Sequence, residues 1–395
     1  MTVVQKYGGS SVADTEKIKR VAMKIKDRTV KGDKVVVVVS AMGKTTDNLI
    51  KLAGEVSSVP DPREMDMLLT TGEQISVALL SMSLKQAGVH AISINAFQAG
   101  IMTTSDFNCA RIKNFDVQKI KKLLMDYDVV VVTGFQGITD NGDLTTLGRG
   151  GSDTSAVALA AALEFNCEIY SDVKGIYTVD PKLHPSAKKL KSISYDEILE
   201  MANSGAKVLH DRSVEIAKKY GVVLYCAGTF SEEEGTYVMQ TNIEDPVVSG
   251  LSVMENQTRV VISNLPLDYK LVHKIFERVA KDGLNVDMIS IIGIDEGLKL
   301  SFTVIQEYEK KLEDILEKFL IDFKNCNVTY EKGFTKVSVV GIGMKTSTGV
   351  ASSFFKAMDS VPVKLVTTSD IKISCLIENR YKDDIVNALI KEFDL

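Results

Sequence analysis

Several stretches of the chain gather residue types that handle anions. "VVQKYGGSSVAD" runs from an apolar strand pattern through Lys6 to Gly8, Gly9 and Ser10, and then into a helical pattern. Adjacent glycines permit close backbone approach, and a helix start supplies unpaired N–H groups and a partial positive potential, which together suit a phosphate. Lys6 stands where a flexible cation could reach that phosphate, although a tight turn with Lys6 on the surface fits the same residues. "TTLGRGGSDTSAV", residues 145–157, places Arg149, Ser152 and Asp153 among glycines at the start of an apolar helix. A guanidinium can grip a carboxylate with two N–H groups, and Gly150 and Gly151 let the chain approach without Cβ atoms in the way. Ser152 and Asp153 also read as a plain helix cap.

Other clusters are weaker alone. "SAMGKTTD" sets Gly43, Lys44 and Thr45 in a row, but position 38 is Val, so the phosphate loop G-x-x-x-x-G-K-[ST] is not satisfied. Thr45 and Thr46 read as substrate hydroxyl contacts or as the cap of a helix. In "TTGEQIS" Glu73 falls in a first helical turn, where it suits the helix N terminus and could also receive an amino group. "YSDVKGIYTVDP" follows a strand pattern with Asp172, Lys174, Tyr177 and Asp180 around a turn, fit for a nucleotide or for a solvent-facing loop. Lys207 in "SGAKVLHDRS" suits a phosphate contact.

The elements that must hold these residues follow from periodicity. Up to about residue 230, runs such as "KVVVVVSA", "DVVVVTG", "CEIYSD" and "GVVLYC" alternate with helical patterns at 14–28, 73–87, 116–125, 153–165 and 207–219. β-Branched runs of this kind suit strands buried on both faces, hence a mainly parallel sheet covered by helices, an αβα sandwich. The texture changes around 231–258, and beyond it the order reads βαββαβ, with helices at 270–282 and 309–319. A second unit follows, with helices at 349–359 and 382–393, and lacks its closing strand. "VVSGLSV" at 247–253 is the candidate to complete that second sheet, which would interleave the two modules.

Composition narrows the function classes. A chain of 395 residues with 45% hydrophobic and 25% charged residues reads as a globular protein of more than one domain. The net charge of −5 gives no reason to expect a nucleic acid partner. The odd set Cys109, Cys167, Cys226, Cys326 and Cys375, without a CxxC pair, argues against disulfides or structural zinc and for buried free thiols. "MTVVQKYGGS" enters a strand pattern at once, and no apolar run approaches membrane-spanning length, so a cytoplasmic location without membrane contact is expected. No G-x-G-x-x-G follows a strand, which disfavours a dehydrogenase.

The ordered set "VQKYGGSSV", "VVVVVSAMGKTTD", "LLTTGEQIS", "LTTLGRGGSDTSAV", "SDVKGIYTVDP" and "GAKVLHDRSVE" resembles the aspartokinase family, and the C-terminal repeats resemble paired ACT regulatory domains. The resemblance covers nearly the whole chain. It implies an α/β architecture: an amino acid kinase fold at 1–235, a linker and strand at 236–254, then interleaved ferredoxin-like ACT domains at 255–332 and 333–395. It implies ATP, with Mg²⁺ bound mainly through the ATP phosphates, and phosphoryl transfer to the side-chain carboxylate of L-aspartate. On the same basis Lys6 and Asp153 are catalytic, Asp153 organising Lys6, and Thr45, Glu73, Arg149 and Ser152 meet aspartate. Lys6, Gly8, Gly9, Ser10, Ser171, Asp172, Tyr177, Lys182 and Lys207 meet ATP. Lysine, alone or with threonine, is the implied effector, at Asp268, Asn285, Val286 and Asp287, in a homodimer or homotetramer. The chain departs from the family in Lys182 for the usual Arg, Asp211 for the usual Pro, and "LPLDYKLVHKIF" without the Gly often found there. Another amino acid kinase, acting on glutamate, N-acetylglutamate or a small phosphate acceptor, is the alternative enzyme, and an inactive amino-acid sensor the alternative outside enzymes.

Overall fold

The computed structural model describes residues 2–206, 209–240, 247–294, 297–321, 323, 325–344 and 347–395. The chain forms two compact units: residues 1–177, 189–202 and 207–243 make the first, and residues 178–188, 203–206 and 244–395 the second.

The first unit is built on an eight-stranded sheet. Its order is Ser192–Ile193, Thr236–Val238, Leu224–Gly228, Cys167–Ser171, Thr2–Tyr7, Lys34–Val39, Val129–Thr133 and Ala91–Ile94. All neighbours pair in parallel except Leu224–Gly228 with Thr236–Val238. Strand alternation divides the central valines between the faces. Val35, Val37 and Val39 join a core with Ile18, Val21 and Ile25 of helix Thr15–Val30 and Leu80 and Leu84 of helix Thr71–Gln86. Val36 and Val38, equally buried, point the other way, toward the side covered by helix Gly151–Leu163. Each such side chain contributes on the order of 1.5–3 kcal/mol by leaving water, which fixes the register that carries Lys6.

The strands and helices read from periodicity are present, and further elements accompany them. Helices Thr45–Val56, Pro62–Leu69 and Tyr195–Asn203 and the strand Ala91–Ile94 are additional, as is a small sheet in the order Ile112–Asn114, Met102–Thr103, Gln136–Ile138, Leu144–Thr146. Thr45–Val56 has no fully buried residue and so lacks a core-facing stripe to read. Strands of two or three residues carry no readable alternation. Among the described residues Pro62–Gln86 is long and apolar enough to cross a membrane, but half of it is buried within the fold. The cysteines are free, with Cys167, Cys226 and Cys375 buried; Cys109 is exposed, against the expectation of burial, because it lies in a surface turn.

The second unit carries a six-stranded sheet in the order Asp287–Ile294, Gly297–Ile305, Gly250–Pro266, Asn327–Val340, Lys372–Glu378, Val363–Thr368. Two long strands serve both modules. Residues Gly250–Met254 pair with Val340–Lys336 and close the second module, as the interleaved reading expects; Gln257–Pro266 belong to the first. Register breaks around Gln257 separate the halves. Helices Tyr269–Lys281 and Glu309–Leu320 cover one half, and Val350–Ala357 and Lys382–Phe393 the other, each with its own apolar core.

Candidate active site

Ligands of open α/β sheets sit beyond the carboxyl ends of the strands, and the first unit concentrates its polar residues there. Lys6 lies one residue before the end of its strand, between Val38 and Ile169 of its neighbours. Its Nζ is 2.6 Å from Asp153 Oδ1, and the two side chains are only 10% and 16% exposed. Burial of both charges leaves the pair dependent on one another, since an isolated buried charge costs several kcal/mol.

The turn after Lys6 requires a glycine at position 9, while position 8 has room for a Cβ. A Cβ on Gly9 would stand 2.7 Å from the Ala41 carbonyl oxygen, and one on Gly8 would come within 3.5 Å of Lys6 Nζ. Gly8 N–H donates to Tyr170 O at 3.2 Å, and Gly43 N–H donates to Gly9 O at 3.0 Å. Ser10 is exposed at the start of the short helical turn Gly9–Val12.

Arg149, Ser152 and Asp153 come from one turn that enters helix Gly151–Leu163. Gly150, with φ 67°, packs under His210, whose Cγ would lie 2.1 Å from an added Cβ. His210 Nδ1 lies 2.8 Å from Asp211 Oδ1, the residue that departs from the family pattern, without making a hydrogen bond among the described residues. Arg149 is exposed and its guanidinium has no partner among the described residues. Ser152 is buried against Gly134, where an added Cβ would sit 2.8 Å from Ser152 Oγ.

Glu73 and Thr45 meet around Ala41. Glu73 Oε1 accepts the Ala41 N–H at 3.0 Å, and the neighbouring Gly72 faces the Ala41 and Thr45 side chains. Glu73 is 2% exposed, and its Oε2 is buried without a hydrogen-bond partner among the described residues. Desolvation raises the carboxyl pKa to about 7, against the lowering effect of the backbone N–H groups. Thr45 is half-buried, with its hydroxyl donating to Met42 O at 2.7 Å, as a helix-start turn does.

The remaining site residues are dispersed. Ser171 ends its strand and its hydroxyl accepts the Val173 N–H; Asp172 beside it is exposed, and Tyr177 is half-buried in a bridge to Lys189. Lys182 belongs to the segment 178–188, which is compact with the second unit, and its N–H donates to Asp180 Oδ1 at 2.9 Å. Lys207 lies outside the described residues. In the second unit Asp268 caps helix Tyr269–Lys281, Asn285 is exposed and Val286 half-buried. Asp287 pairs with the buried Lys336 at 2.5 Å, and partial burial of the carboxyl is outweighed by that ammonium, which holds it below the usual carboxylate range.

Residues that a single sequence does not single out hold the Arg149 turn. Asp66, fully buried, accepts Asn108 N–H at 2.9 Å, Thr146 N–H at 2.8 Å and the Thr146 hydroxyl at 2.6 Å. Arg212 donates to Leu147 O at 2.6 Å and Ala110 O at 3.1 Å. Arg212 stands inside the quoted "HDRS" segment, whereas Asp66 has no local sign beyond a carboxylate on an amphipathic helix.

The amino acid kinase family matches residues 1–228, and the ACT domain family matches residues 337–393. An aspartokinase of Bacillus sp. (strain MGA3) is 46% identical over 401 aligned positions, covering 100% of this chain and 97% of that protein. An aspartokinase of Helicobacter pylori (strain J99 / ATCC 700824) is 43% identical over 405 positions, covering 100% of both. Among solved structures, E. coli aspartokinase III in complex with aspartate and ADP superposes with a TM-score of 0.82 at 23% identity, covering 100% of both chains. The Clostridium acetobutylicum aspartate kinase gives 0.83 at 23% identity, covering 99% of this chain and 100% of that one.

Proposed function

The chain belongs to the aspartokinase family, and from that membership we propose how its residues share the work of the reaction. The protein is an ATP-dependent phosphotransferase that converts ATP and L-aspartate to ADP and 4-phospho-L-aspartate, the first step of lysine, threonine and methionine biosynthesis. A carboxylate oxygen of aspartate forms the new bond to the γ-phosphorus, and the bond to the β,γ-bridging oxygen breaks with its electron pair leaving on ADP. Aspartate is already ionised at neutral pH, so no proton need be removed from the nucleophile. The requirement is alignment and neutralisation of charge.

The observation that carries the substrate assignment is Glu73 Oε2, buried and without a hydrogen-bond partner among the described residues. A carboxylate so placed fits the ammonium group of an α-amino acid and has no use for an N-acetylated acceptor. Arg149 holds a substrate carboxylate, with the Thr45 and Ser152 hydroxyls beside it. Lys6 neutralises charge developing on the transferred phosphoryl group, and Asp153 holds that ammonium rather than acting as a base. The glycines at 8 and 9 with Ser10 are assigned to the phosphates, beside Lys6 at the carboxyl end of its strand, where glycines leave the backbone N–H groups uncovered. Ser171, Asp172 and Tyr177 are proposed for the nucleotide side, and Lys182 and Lys207 are assigned to ATP by the family resemblance alone.

Family membership implies ATP with Mg²⁺, which we assign mainly to the ATP phosphates. Bound there, Mg²⁺ supplies neutralisation of the phosphate oxygens. Regulation by lysine, alone or with threonine, is assigned to Asp268, Asn285, Val286 and Asp287 in a cytoplasmic homodimer or homotetramer. Incubation with ATP and Mg²⁺ and trapping of the acyl phosphate as a hydroxamate tests the substrate. Product is expected with L-aspartate but not with glutamate, N-acetylglutamate or no acceptor; absence of product with aspartate would defeat the assignment.

A further inference from the structure

Thr229 follows the strand Leu224–Gly228 and is buried at 3% exposure, with every polar atom engaged. Its N–H donates to the Ser171 carbonyl at 2.8 Å, and its hydroxyl donates to the same carbonyl at 3.0 Å. A hydroxyl has one hydrogen, so the 2.6 Å contact between Thr229 Oγ1 and Ser11 Oγ is donated by Ser11. Ser11 is buried in turn, and its N–H donates to Gly8 O at 2.9 Å. On the far side, the Thr229 carbonyl accepts Lys24 Nζ at 2.9 Å, and that ammonium rests 4.1 Å from the centre of the Tyr170 ring. A directed relay therefore runs from the glycine turn, through one hydroxyl, to the end of the strand that opens the nucleotide loop.

We propose that Thr229 is a positioning residue for phosphoryl transfer, fixing the turn of Gly8 to Ser11 beside Lys6 relative to Ser171. The proposal rests on the reading that this turn holds ATP phosphates and that Ser171 faces the nucleotide. Gly8 N–H to Tyr170 O continues the parallel pairing of the two strands into the turn, and Gly43 N–H to Gly9 O holds the turn from its other side. The Ser11 hydroxyl adds the side-chain tie between the far end of the turn and the residue that follows strand Leu224–Gly228. The N–H groups of Gly9 and Ser10 move with Ser11, because all belong to the turn Gly9–Val12. A misplacement of about 1 Å at such a site can cost ~100-fold in rate, so a modest slip gives a measurable defect.

The test compares Thr229→Val, which keeps shape and loses the hydroxyl, with Thr229→Ser, which keeps the hydroxyl. For Thr229→Val, kcat is expected to fall about tenfold and ATP KM to rise about fivefold, with aspartate KM within about twofold of the native value. Thr229→Ser is expected to restore kcat to within about threefold. Ser11→Ala breaks the relay from its other end and should give the same split, with the double variant no worse than Thr229→Val. Should Thr229→Val fail to fold, Ser11→Ala decides. Native kcat and ATP KM in Ser11→Ala or folded Thr229→Val would overturn the proposal, as would a Thr229→Ser defect equal to that of Val or multiplying defects in the double variant. Lys6→Ala separates the layers: if it retains kcat, the reading of the phosphate turn falls with the relay. If it loses kcat while Thr229→Val is normal, only the Thr229 proposal falls.

Discussion

Replacing Glu73 by Gln removes a buried charge whose Oε2 has no hydrogen-bond partner among the described residues, and the effect depends on pH in a direction that can be worked out. The carboxyl pKa stands at about 7 in the folded protein against 4.5 without burial, so the native state binds the proton more tightly than the unfolded chain. Its contribution to stability is fully present below pH 4.5 and is lost as pH rises through about 7. A difference of about 2.5 units corresponds to about 3 kcal/mol at pH 8. Gln resembles the protonated side chain and keeps the bond from Ala41 N–H, but brings an extra N–H to satisfy, which reduces the net gain to about 2 kcal/mol. For a unit of this size that is a rise of about 4–8 °C in Tm. Melting curves of unliganded native and Glu73→Gln protein from pH 5 to pH 8 should nearly coincide at the acid end and separate toward pH 8. Aspartate KM should rise about 100-fold in the variant, because the ammonium loses its counter-charge. In the native enzyme, aspartate affinity should weaken about tenfold per unit as pH falls below about 7, with Glu73 taking up a proton. Parallel stability curves, or an unchanged aspartate KM, would refute the reasoning.

Arg149→Ala should raise aspartate KM about 100-fold and leave Tm within about 2 °C, since the exposed guanidinium has no partner to lose among the described residues; a large drop in Tm would show a structural role instead. Lys6→Ala should lower kcat at least about 100-fold with little change in aspartate KM, measured at saturating ATP. Gly150→Ala must displace the His210 ring as well as strain a φ of 67°, and should cost several-fold in aspartate affinity. Gly142→Ala, with φ 86° and open space, should cost only about 1 kcal/mol of stability and no affinity. Titration with lysine and threonine should lower activity or change oligomer size; no response to either, singly or together, would remove the regulatory assignment.

Much of the fold was legible because its signals are local. The five consecutive valines of Lys34–Val39 and the spacing of Ile18, Val21, Ala22 and Ile25 each state an element and its buried side within a few residues. The glycine pairs at 8 and 9 and at 150 and 151 were legible as local turn signals, although what Gly9 and Gly150 make room for, the Ala41 carbonyl and the His210 ring, lies far along the chain. What the sequence did not disclose depends on partners far along the chain. Asp66 acts 80 residues away on Thr146, Arg212 acts 65 residues away on Leu147, and Ser11 meets Thr229 across 218 residues. No periodicity encodes such pairs, because a hydrogen bond specifies chemistry at each end without specifying distance in sequence. The same asymmetry explains Lys182, which follows the nucleotide loop in sequence yet packs with the second unit.

The arrangement around Ala41 shows why that distinction matters for function. Its N–H fixes Glu73 Oε1, and its carbonyl occupies the place a Cβ on Gly9 would take, so one short segment after a central strand adjoins both the carboxylate proposed to bind the amine and the turn proposed to hold the phosphates. Aspartate and ATP must approach within a bond length of reacting, and shared backbone on a rigid strand end holds the two half-sites to that tolerance better than flexible side chains could. Gly9→Ala should therefore damage both substrates at once, pushing Ala41 off Glu73 while closing the phosphate turn. Its kinetics should show ATP KM and aspartate KM rising together with a lower kcat, unlike Arg149→Ala, which acts on aspartate alone. A Gly9→Ala enzyme with only its ATP KM altered would show that the two half-sites are held independently.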